Sequence, residues 1–265
     1  MYKLVVTDLD GTFLDDGSRI PPKNRDAVKL MDEKGVAFCL ASGRSYHSLE
    51  YFYDELSLIG RGICGIAFNG AIVYEVDTRR RLRTAALSNK LMRRIVRESR
   101  PLTQDVYVYD IDGVLYSEYE TEIYRGYYTR SGLPKGIRDL DEIDNDVIKV
   151  LLMGDHGMLS DAYARLEGVI RGECNMIFSS RRMLEFTGRD ATKGCALKFL
   201  GEHLSIDISE IIAVGDNYND ESMILNAGLG IVTANAEESL KAKASYVTRA
   251  TNNDGALMEI VETFL

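Results

Sequence analysis

The sequence VVTDLDGT occupies Val5–Thr12, close to the start of the 265-residue chain. Its apolar run is typical of a buried strand in a parallel sheet, and two aspartates and a glycine follow where that strand ends. A second stretch, VGDNYND at Val214–Asp220, repeats this arrangement far along the chain. Because open α/β sheets bind ligands at the carboxyl ends of their strands, we expect the two sets of carboxylates to meet there.

These carboxylates predict a site for one hard cation. Carboxylate oxygens are ligands that Mg²⁺ prefers in proteins, so Mg²⁺ is the cofactor we expect. An aspartate beside such a cation is also a nucleophile for phosphoryl groups. The two stretches therefore favour phosphate chemistry.

Composition excludes several classes of partner. The chain carries 32 Lys and Arg against 41 Asp and Glu, a net charge of −9, which disfavours nucleic acid. A phosphate-ester substrate would then need a metal and a positioned cation in its site. No stretch of about 18 apolar residues occurs, so we expect no membrane span. A signal peptide would be cleaved away together with Asp8, so we expect a cytoplasmic protein with reduced cysteines.

The order of predicted elements indicates one domain inserted into another. Strands and helices alternate at both ends of the chain, which predicts a parallel sheet with helices on both faces. Between them the pattern changes to hairpins and a β-α-β unit. We therefore predict an α/β, Rossmann-like core formed by residues 1–80 and 188–265, with an α+β domain inserted at residues 81–187.

Two further segments supply candidate phosphate ligands. Ser42, Gly43 and Arg44 follow the second predicted strand, where a hydroxyl and free backbone amides before a helix would form an anion seat. The alternative is a simple helix cap by Ser42 or Ser45. Lys193 stands at a predicted helix start, where a cation is disfavoured unless it has an anionic partner or is solvated.

The second acidic stretch has a structural alternative as well. Asn219 or Asp220 could serve only as a helix cap, whereas Asp216 at a strand end has no such role. Asp110–Gly113 also has the form Asp-x-Asp-Gly, but turn chemistry explains it fully, and we reject it as a metal site.

Taken together, the four core segments resemble the haloacid dehalogenase-like hydrolase superfamily, and more closely its Cof-type phosphatases. The resemblance covers nearly the whole chain. It includes Asn69–Ala71 before the insert, Lys149–Gly154 within it, and Leu184-Glu185 near its end. One departure is the segment Glu185–Arg189, which lacks the proline that this subfamily often has there.

The resemblance implies a mechanism. Asp8 would attack phosphorus, and Asp10 would act as general acid and base. The Asp8 carboxylate, the Asp10 backbone carbonyl and Asp216 would hold Mg²⁺. The phosphate would be bound by Leu9, Ser42, Gly43, Lys193 and Asn219, and supporting roles would fall to Thr12, Arg44 and Asp220.

We therefore expect a Mg²⁺-dependent phosphatase of small phosphorylated metabolites, with sugar phosphates favoured, in which the insert is a cap that selects the leaving group. A phosphomutase acting on hexose phosphates is one alternative. A low-turnover module that senses phosphorylated metabolites is another. We expect a monomer or a homodimer.

Overall fold

The fold comes from a computed structural model that describes residues 1–131, 134–170 and 172–265. It forms two compact units, of which the first combines Met1–Thr84 with Thr192–Leu265 and the second is Ala85–Ala191. Within the described ranges, every helix is too short or too polar to span a bilayer.

The first unit contains a parallel sheet and a smaller antiparallel one. Its strands are β1 (Leu4–Thr7), β2 (Ala37–Leu40), β3 (Cys64–Ala67), β4 (Ile72–Glu75), β5 (Arg81–Thr84), β12 (Ile211–Gly215), β13 (Leu229–Val232) and β14 (Tyr246–Val247). Its helices are α1 (Pro22–Glu33), α2 (Tyr46–Glu55), α6 (Lys193–Leu204), α7 (Glu221–Asn226), α8 (Glu238–Lys241) and α9 (Ala256–Phe264).

The five-stranded parallel sheet has the order β14-β13-β12-β1-β2. An isolated parallel bridge between Ala41 and Ile66 links it to β3, which pairs with β4 and β5 in antiparallel fashion. Strand β5 falls inside the predicted insert of residues 81–187. In the structure it pairs instead with β4 of the first unit. The predicted α/β fold with a parallel-sheet core is confirmed.

Strand register places the functional loops side by side. Thr7, the last residue of β1, is level with Val214 of β12 and with Leu40 of β2. Because the three strands run parallel, the segments that follow them leave the same edge of the sheet. The sheet therefore brings Asp8 and Asp216 to neighbouring strand ends, as the sequence predicts.

Alternating side chains bury both faces of this sheet. Leu4 and Val6 of β1 belong to an apolar cluster that also contains Leu197 and Leu200 of α6. The intervening Val5 is fully buried as well, and it points to the opposite face. At roughly 25 cal/mol per Å² of buried apolar surface, these contacts anchor the strands whose ends carry the site.

The second unit is built on a mostly antiparallel sheet with the order β10-β11-β9-β6-β7-β8. Its strands are β6 (Val106–Asp110), β7 (Leu115–Ser117), β8 (Lys135–Ile137), β9 (Val147–Met153), β10 (Asn175–Ser180) and β11 (Met183–Thr187). Its helices are α3 (Asn89–Ser99), α4 (Glu122–Ser131) and α5 (His156–Ile170). The predicted hairpin of β6 and β7 is confirmed.

The predicted β-α-β unit of this domain is present in split form, with β9 and β10 parallel to each other. Its strands β9 and β10 and its helix α5 are present, but β9 and β10 are not neighbours. Strand β11 lies between them and pairs antiparallel with both. The chain passes from β10 to β11 through Arg181 and Arg182 and forms a short antiparallel hairpin. Such a hairpin needs only a short turn, whereas a parallel neighbour requires a long crossover connection.

A buried ion pair lies within the second unit. Lys149 Nζ is 2.9 Å from Glu185 Oε2, and each side chain is only 7% exposed. Ser179 Oγ donates to the other oxygen of Glu185 at 2.7 Å. Burial opposes both charges, but the pairing outweighs it, raising the pKa of Lys149 and lowering that of Glu185.

The turn between β6 and β7 confirms the predicted role of Asp110. Asp110 Oδ1 accepts from the backbone N–H of Asp112 at 2.9 Å.

Candidate active site

The loop after β1 folds tightly around a glycine. Residues Leu9–Phe13 form one wide helical turn, closed by the Leu14 N–H donating to the Leu9 carbonyl at 2.9 Å. Gly11 interrupts this turn with a φ of +78°. A Cβ at Gly11 would lie 2.6 Å from Oδ2 of Asp216, so this position requires glycine both for its backbone and for space.

A buried lysine joins the two predicted acidic stretches. Lys193 Nζ donates to Oδ1 of Asp8 and, at 2.5 Å, to Oδ1 of Asp220. The Lys193 side chain is 0% exposed, so the alternative that it is a solvated surface lysine is wrong. Its position follows from the cap of α6, where Thr192 Oγ1 accepts from the Cys195 N–H at 3.1 Å.

The charged groups in this cluster shift one another's pKa values. Burial, followed by repulsion from Asp220, raises the pKa of Asp8 well above its usual range. Burial alone would lower the pKa of Lys193, but the carboxylates of Asp220 and Asp8 outweigh it and raise that pKa. The two carboxylates therefore stabilise the charged form of the lysine beside Asp8.

Asp220 combines a structural role with its contact to lysine. Its Oδ2 accepts from the backbone N–H groups of Asp216 and Asn217, each at 3.0 Å, which is the capping role that the sequence left open. Its Oδ1 faces Lys193. Helix capping thus explains one oxygen of Asp220 and leaves the other to orient the lysine.

Asp216 lies at the end of β12, and Thr12 binds it directly. Thr12 Oγ1 donates to Asp216 Oδ1 at 2.6 Å, across 204 residues of sequence. Burial raises the pKa of Asp216 to about 6, although the hydrogen bond from Thr12 acts in the opposite direction. The contact ties the loop after β1 to the loop after β12.

Asp10 and Arg44 form a bidentate ion pair. Arg44 Nε donates to Asp10 Oδ2 at 2.8 Å, and Arg44 Nη2 donates to Asp10 Oδ1 at 2.5 Å. The Asp10 side chain is half exposed, and the Arg44 guanidinium also lies over the Phe52 ring. Arg44 therefore fixes the direction of the Asp10 carboxylate, which here faces the arginine rather than Lys193.

The structure separates the two serines that the sequence offered as helix caps. Ser45 is the N-cap of α2, and its Oγ accepts from the Ser48 N–H at 3.3 Å. Ser42 is buried, and its Oγ accepts instead from the Arg44 N–H at 3.1 Å. Capping of α2 therefore accounts for Ser45 but not for Ser42.

The remaining predicted phosphate ligands are Leu9, Gly43 and Asn219. The Leu9 side chain is fully buried and anchors its loop. Asn219 Nδ2 donates to Oδ1 of Asn69 at 3.0 Å. The Asn69 side chain also lies against Gly43, because a Cβ built there would come within 3.1 Å of Oδ1 of Asn69.

Sequence reasoning missed a set of asparagines that hold the loop after β1. Asn235 Nδ2 donates to the Gly11 carbonyl at 2.7 Å, and Asn235 Oδ1 accepts from the Asn252 N–H at 2.9 Å. Asn252 Nδ2 donates to the Leu14 carbonyl at 3.0 Å, and Asn24 Nδ2 donates to the Phe13 carbonyl at 2.8 Å. Isolated asparagines in loops carry no periodic or motif signal, so nothing in the sequence singled them out.

One acidic group in the described part of the chain has the spacing of a metal site. Asp8, Asp216 and Asp220 each offer an oxygen, and these oxygens lie within 4.8 Å of one another. Such a set of hard oxygen donors suits Mg²⁺. Both oxygens of Asp220 already have hydrogen-bond donors, so Asp8 and Asp216 fit better as ligands.

Known proteins are similar to this sequence over most or all of its length. Residues 5–260 match a family described as haloacid dehalogenase-like hydrolase. A Bacillus subtilis protein named as a putative phosphatase is 31% identical over 100% of this chain and 99% of its own. A Yersinia pseudotuberculosis protein named HMP-PP phosphatase is 28% identical, covering 91% of this chain and 87% of its own.

Solved structures agree with this assignment. A haloacid dehalogenase-like hydrolase from Bacteroides thetaiotaomicron superposes with a TM-score of 0.90 at 28% identity, covering 100% of both chains. A Thermotoga maritima protein gives 0.90 at 29% identity, covering 100% of this chain and 98% of the other. The resemblance noted in the sequence is confirmed, and the chain belongs to the haloacid dehalogenase-like hydrolase family.

Proposed function

We propose that this protein is a Mg²⁺-dependent phosphatase of small phosphorylated metabolites that works through an aspartyl-phosphate on Asp8. The observation that carries the proposal is the contact of Asp8 with the buried ammonium of Lys193 at the end of β1. An aspartate beside a buried cation, at the sheet edge where ligands bind, has what a nucleophile for a phosphate dianion needs.

The first step forms a bond from an Asp8 oxygen to phosphorus while the bond from phosphorus to the leaving oxygen breaks. The Lys193 ammonium is held by Asp8 and Asp220, which places a positive charge beside the attacking carboxylate. Charge that spreads over the phosphoryl oxygens in the transition state would be stabilised by this cation and by the donors around Ser42 and Gly43.

Proton transfer is assigned to Asp10. The leaving oxygen takes a proton from Asp10, and in the second step Asp10 removes a proton from the water that attacks phosphorus and frees Asp8. The ion pair with Arg44 bears on both steps, because it orients the Asp10 carboxylate and occupies both of its oxygens. The carboxylate must loosen from the arginine to act as an acid.

We propose that Asp8, Asp216 and the Asp10 carbonyl hold Mg²⁺. The cluster of carboxylate oxygens supports this assignment, and Thr12 orients Asp216 for it. When bound, Mg²⁺ supplies positive charge between the nucleophile and the phosphate, without which two anions would repel each other.

Chelation with EDTA should lower phosphate release by at least about a hundredfold, and added Mg²⁺ should restore it, because the cation contributes several kcal/mol to the transition state. Binding can also be followed without turnover. Mg²⁺ should raise the melting temperature of the wild type but not of Asp216→Asn. Full activity in EDTA would remove the metal from the mechanism.

We further propose that the second unit selects the leaving group and that sugar phosphates are the favoured class. A panel should therefore contain sugar phosphates, nucleotides, flavin mononucleotide, pyridoxal phosphate and phosphoglycolate. HMP-PP joins it because one relative is named for that activity. Hydrolysis confined to one or two compounds would support the phosphatase and name its substrate class, whereas isomer conversion would favour the mutase and binding alone the sensor.

A reducing compartment suits the chain. All four cysteines are free thiols, and Cys39 and Cys64 are buried. Free buried thiols are typical of proteins that remain in the cytosol. We therefore propose a cytoplasmic location, which fractionation of the source cells would test.

A further inference from the structure

The turn between β3 and β4 has an unusual backbone. Phe68, Asn69 and Gly70 have φ values of +51°, +56° and +92°, so three successive residues are left-handed. Glycine adopts this conformation freely and asparagine tolerates it, but a phenylalanine does so only when the surrounding structure holds it. Such strain concentrates at functional sites.

The turn is held by the loop that carries the candidate anion seat. The Phe68 N–H donates to the Arg44 carbonyl, and the Asn69 N–H donates to the Ser42 carbonyl, each at 2.9 Å. Because the peptide is trans, fixing the Ser42 carbonyl also fixes the opposite direction of the Gly43 N–H. The backbone of the turn thus orients one of the predicted phosphate donors.

The same turn also touches the start of α6. A Cβ at Gly70 would lie 2.2 Å from the Thr192 carbonyl oxygen, immediately before Lys193. Arg83 Nη1 donates to the Gly70 carbonyl at 2.9 Å and fixes the other side of the turn. The turn therefore lies between the loop that carries Ser42 and Arg44 and Thr192, the N-cap of α6.

The Asn69 side chain adds a contact to a third loop. Its Oδ1 accepts from Asn219 Nδ2 at 3.0 Å, across 150 residues of sequence. A carboxamide presents an oxygen and an NH₂ group that are similar in shape but opposite in polarity. Because Asn69 Oδ1 is an acceptor, the NH₂ group of Asn219, and not its oxygen, faces Asn69. The hydrogen bond also fixes the direction of the second N–H of that group.

We propose that Asn69 is a positioning residue of the phosphate site and acts through Asn219. Its Oδ1 accepts one N–H of Asn219 Nδ2 and so orients the Asn219 amide. Asn219 then offers its second N–H, rather than its carbonyl oxygen, to the phosphate. This inference rests on the proposed phosphatase function. The structural alternative is that position 69 holds an asparagine only because this residue tolerates a left-handed backbone.

Asn69→Gly separates the two explanations, because glycine keeps the left-handed backbone and its N–H bond while it removes the carboxamide. The matched control is Ser57→Gly, an exposed left-handed position (φ +55°) in the loop after α2. The readouts are kcat and KM for p-nitrophenyl phosphate, the inhibition constant of inorganic phosphate, and the melting temperature. Asn219→Ala and the double variant complete a thermodynamic cycle.

We expect Asn69→Gly to raise the inhibition constant of phosphate about five- to tenfold, as for the loss of one oriented hydrogen bond. Asn219→Ala should raise it at least as much, and the double variant should be no worse than Asn219→Ala alone. Ser57→Gly should leave the constant unchanged.

Three results would overturn the inference while leaving the phosphatase standing: an Asn69→Gly constant within about twofold of the wild type, no effect of Asn219→Ala, or effects that multiply in the double variant. A wild-type protein that neither releases nor binds phosphate would instead remove the proposed function itself, and this inference with it.

Discussion

Replacing Asp8 by asparagine should abolish phosphate release, with a loss of roughly 10⁴-fold or more, as when an enzyme loses its nucleophile. Asparagine has nearly the shape of aspartate, but its amide neither attacks phosphorus nor carries the negative charge that a metal requires. The change is not expected to unfold the protein, because Asp220 still accepts from Lys193 at 2.5 Å.

The measurement is phosphate release under single-turnover and steady-state conditions, with circular dichroism and melting temperature as checks on the fold. Asp26→Asn is the matched control, since Asp26 is an exposed carboxylate on α1. It should behave as the wild type. An active Asp8→Asn enzyme with a normal fold would disprove the assignment of the nucleophile.

Lys193→Met should cost both activity and stability. Methionine fills a similar volume but leaves the buried carboxylates of Asp8 and Asp220 without their cation. Removing one partner of a buried ion pair typically costs about 3–5 kcal/mol of folding free energy. Loss of the charge that stabilises the transition state should lower kcat by roughly a further 10²- to 10³-fold.

Lys198→Met is the control for this change, because Lys198 is exposed on the same helix, α6. Urea unfolding and phosphate release should be measured on both variants. If Lys193→Met were as stable and as active as Lys198→Met, the lysine would have neither the structural nor the chemical role assigned to it.

The sequence predicted the core of this fold because apolar strands and acidic strand ends are local signals. The strand before Asp8 and the strand before Asp216 are both present, at Leu4–Thr7 and Ile211–Gly215. The predicted helix start at Lys193 is confirmed, but the role of Thr192 as the N-cap of α6 is not a local signal. A capping threonine and a first-turn threonine look alike until the hydrogen bond to Cys195 is known.

Long-range partners were beyond the sequence. Nothing local indicates that Asn219 meets Asn69, or that Asn235 holds the carbonyl of Gly11. The burial of Lys193 was likewise undetermined, because a lysine at a helix start is equally compatible with solvent. These features depend on which strand ends become neighbours, and only the assembled sheet decides that.

The most direct test of the central claim is to trap the phosphoryl group on the enzyme. The protein would be mixed with p-nitrophenyl phosphate and Mg²⁺, quenched in acid, and reduced with borohydride, which converts an aspartyl-phosphate to homoserine. Peptide mapping by mass spectrometry should find homoserine at Asp8 and an unmodified Asp10. Turnover with Asp8 unmodified, or a phosphoryl group recovered on another residue, would contradict the account.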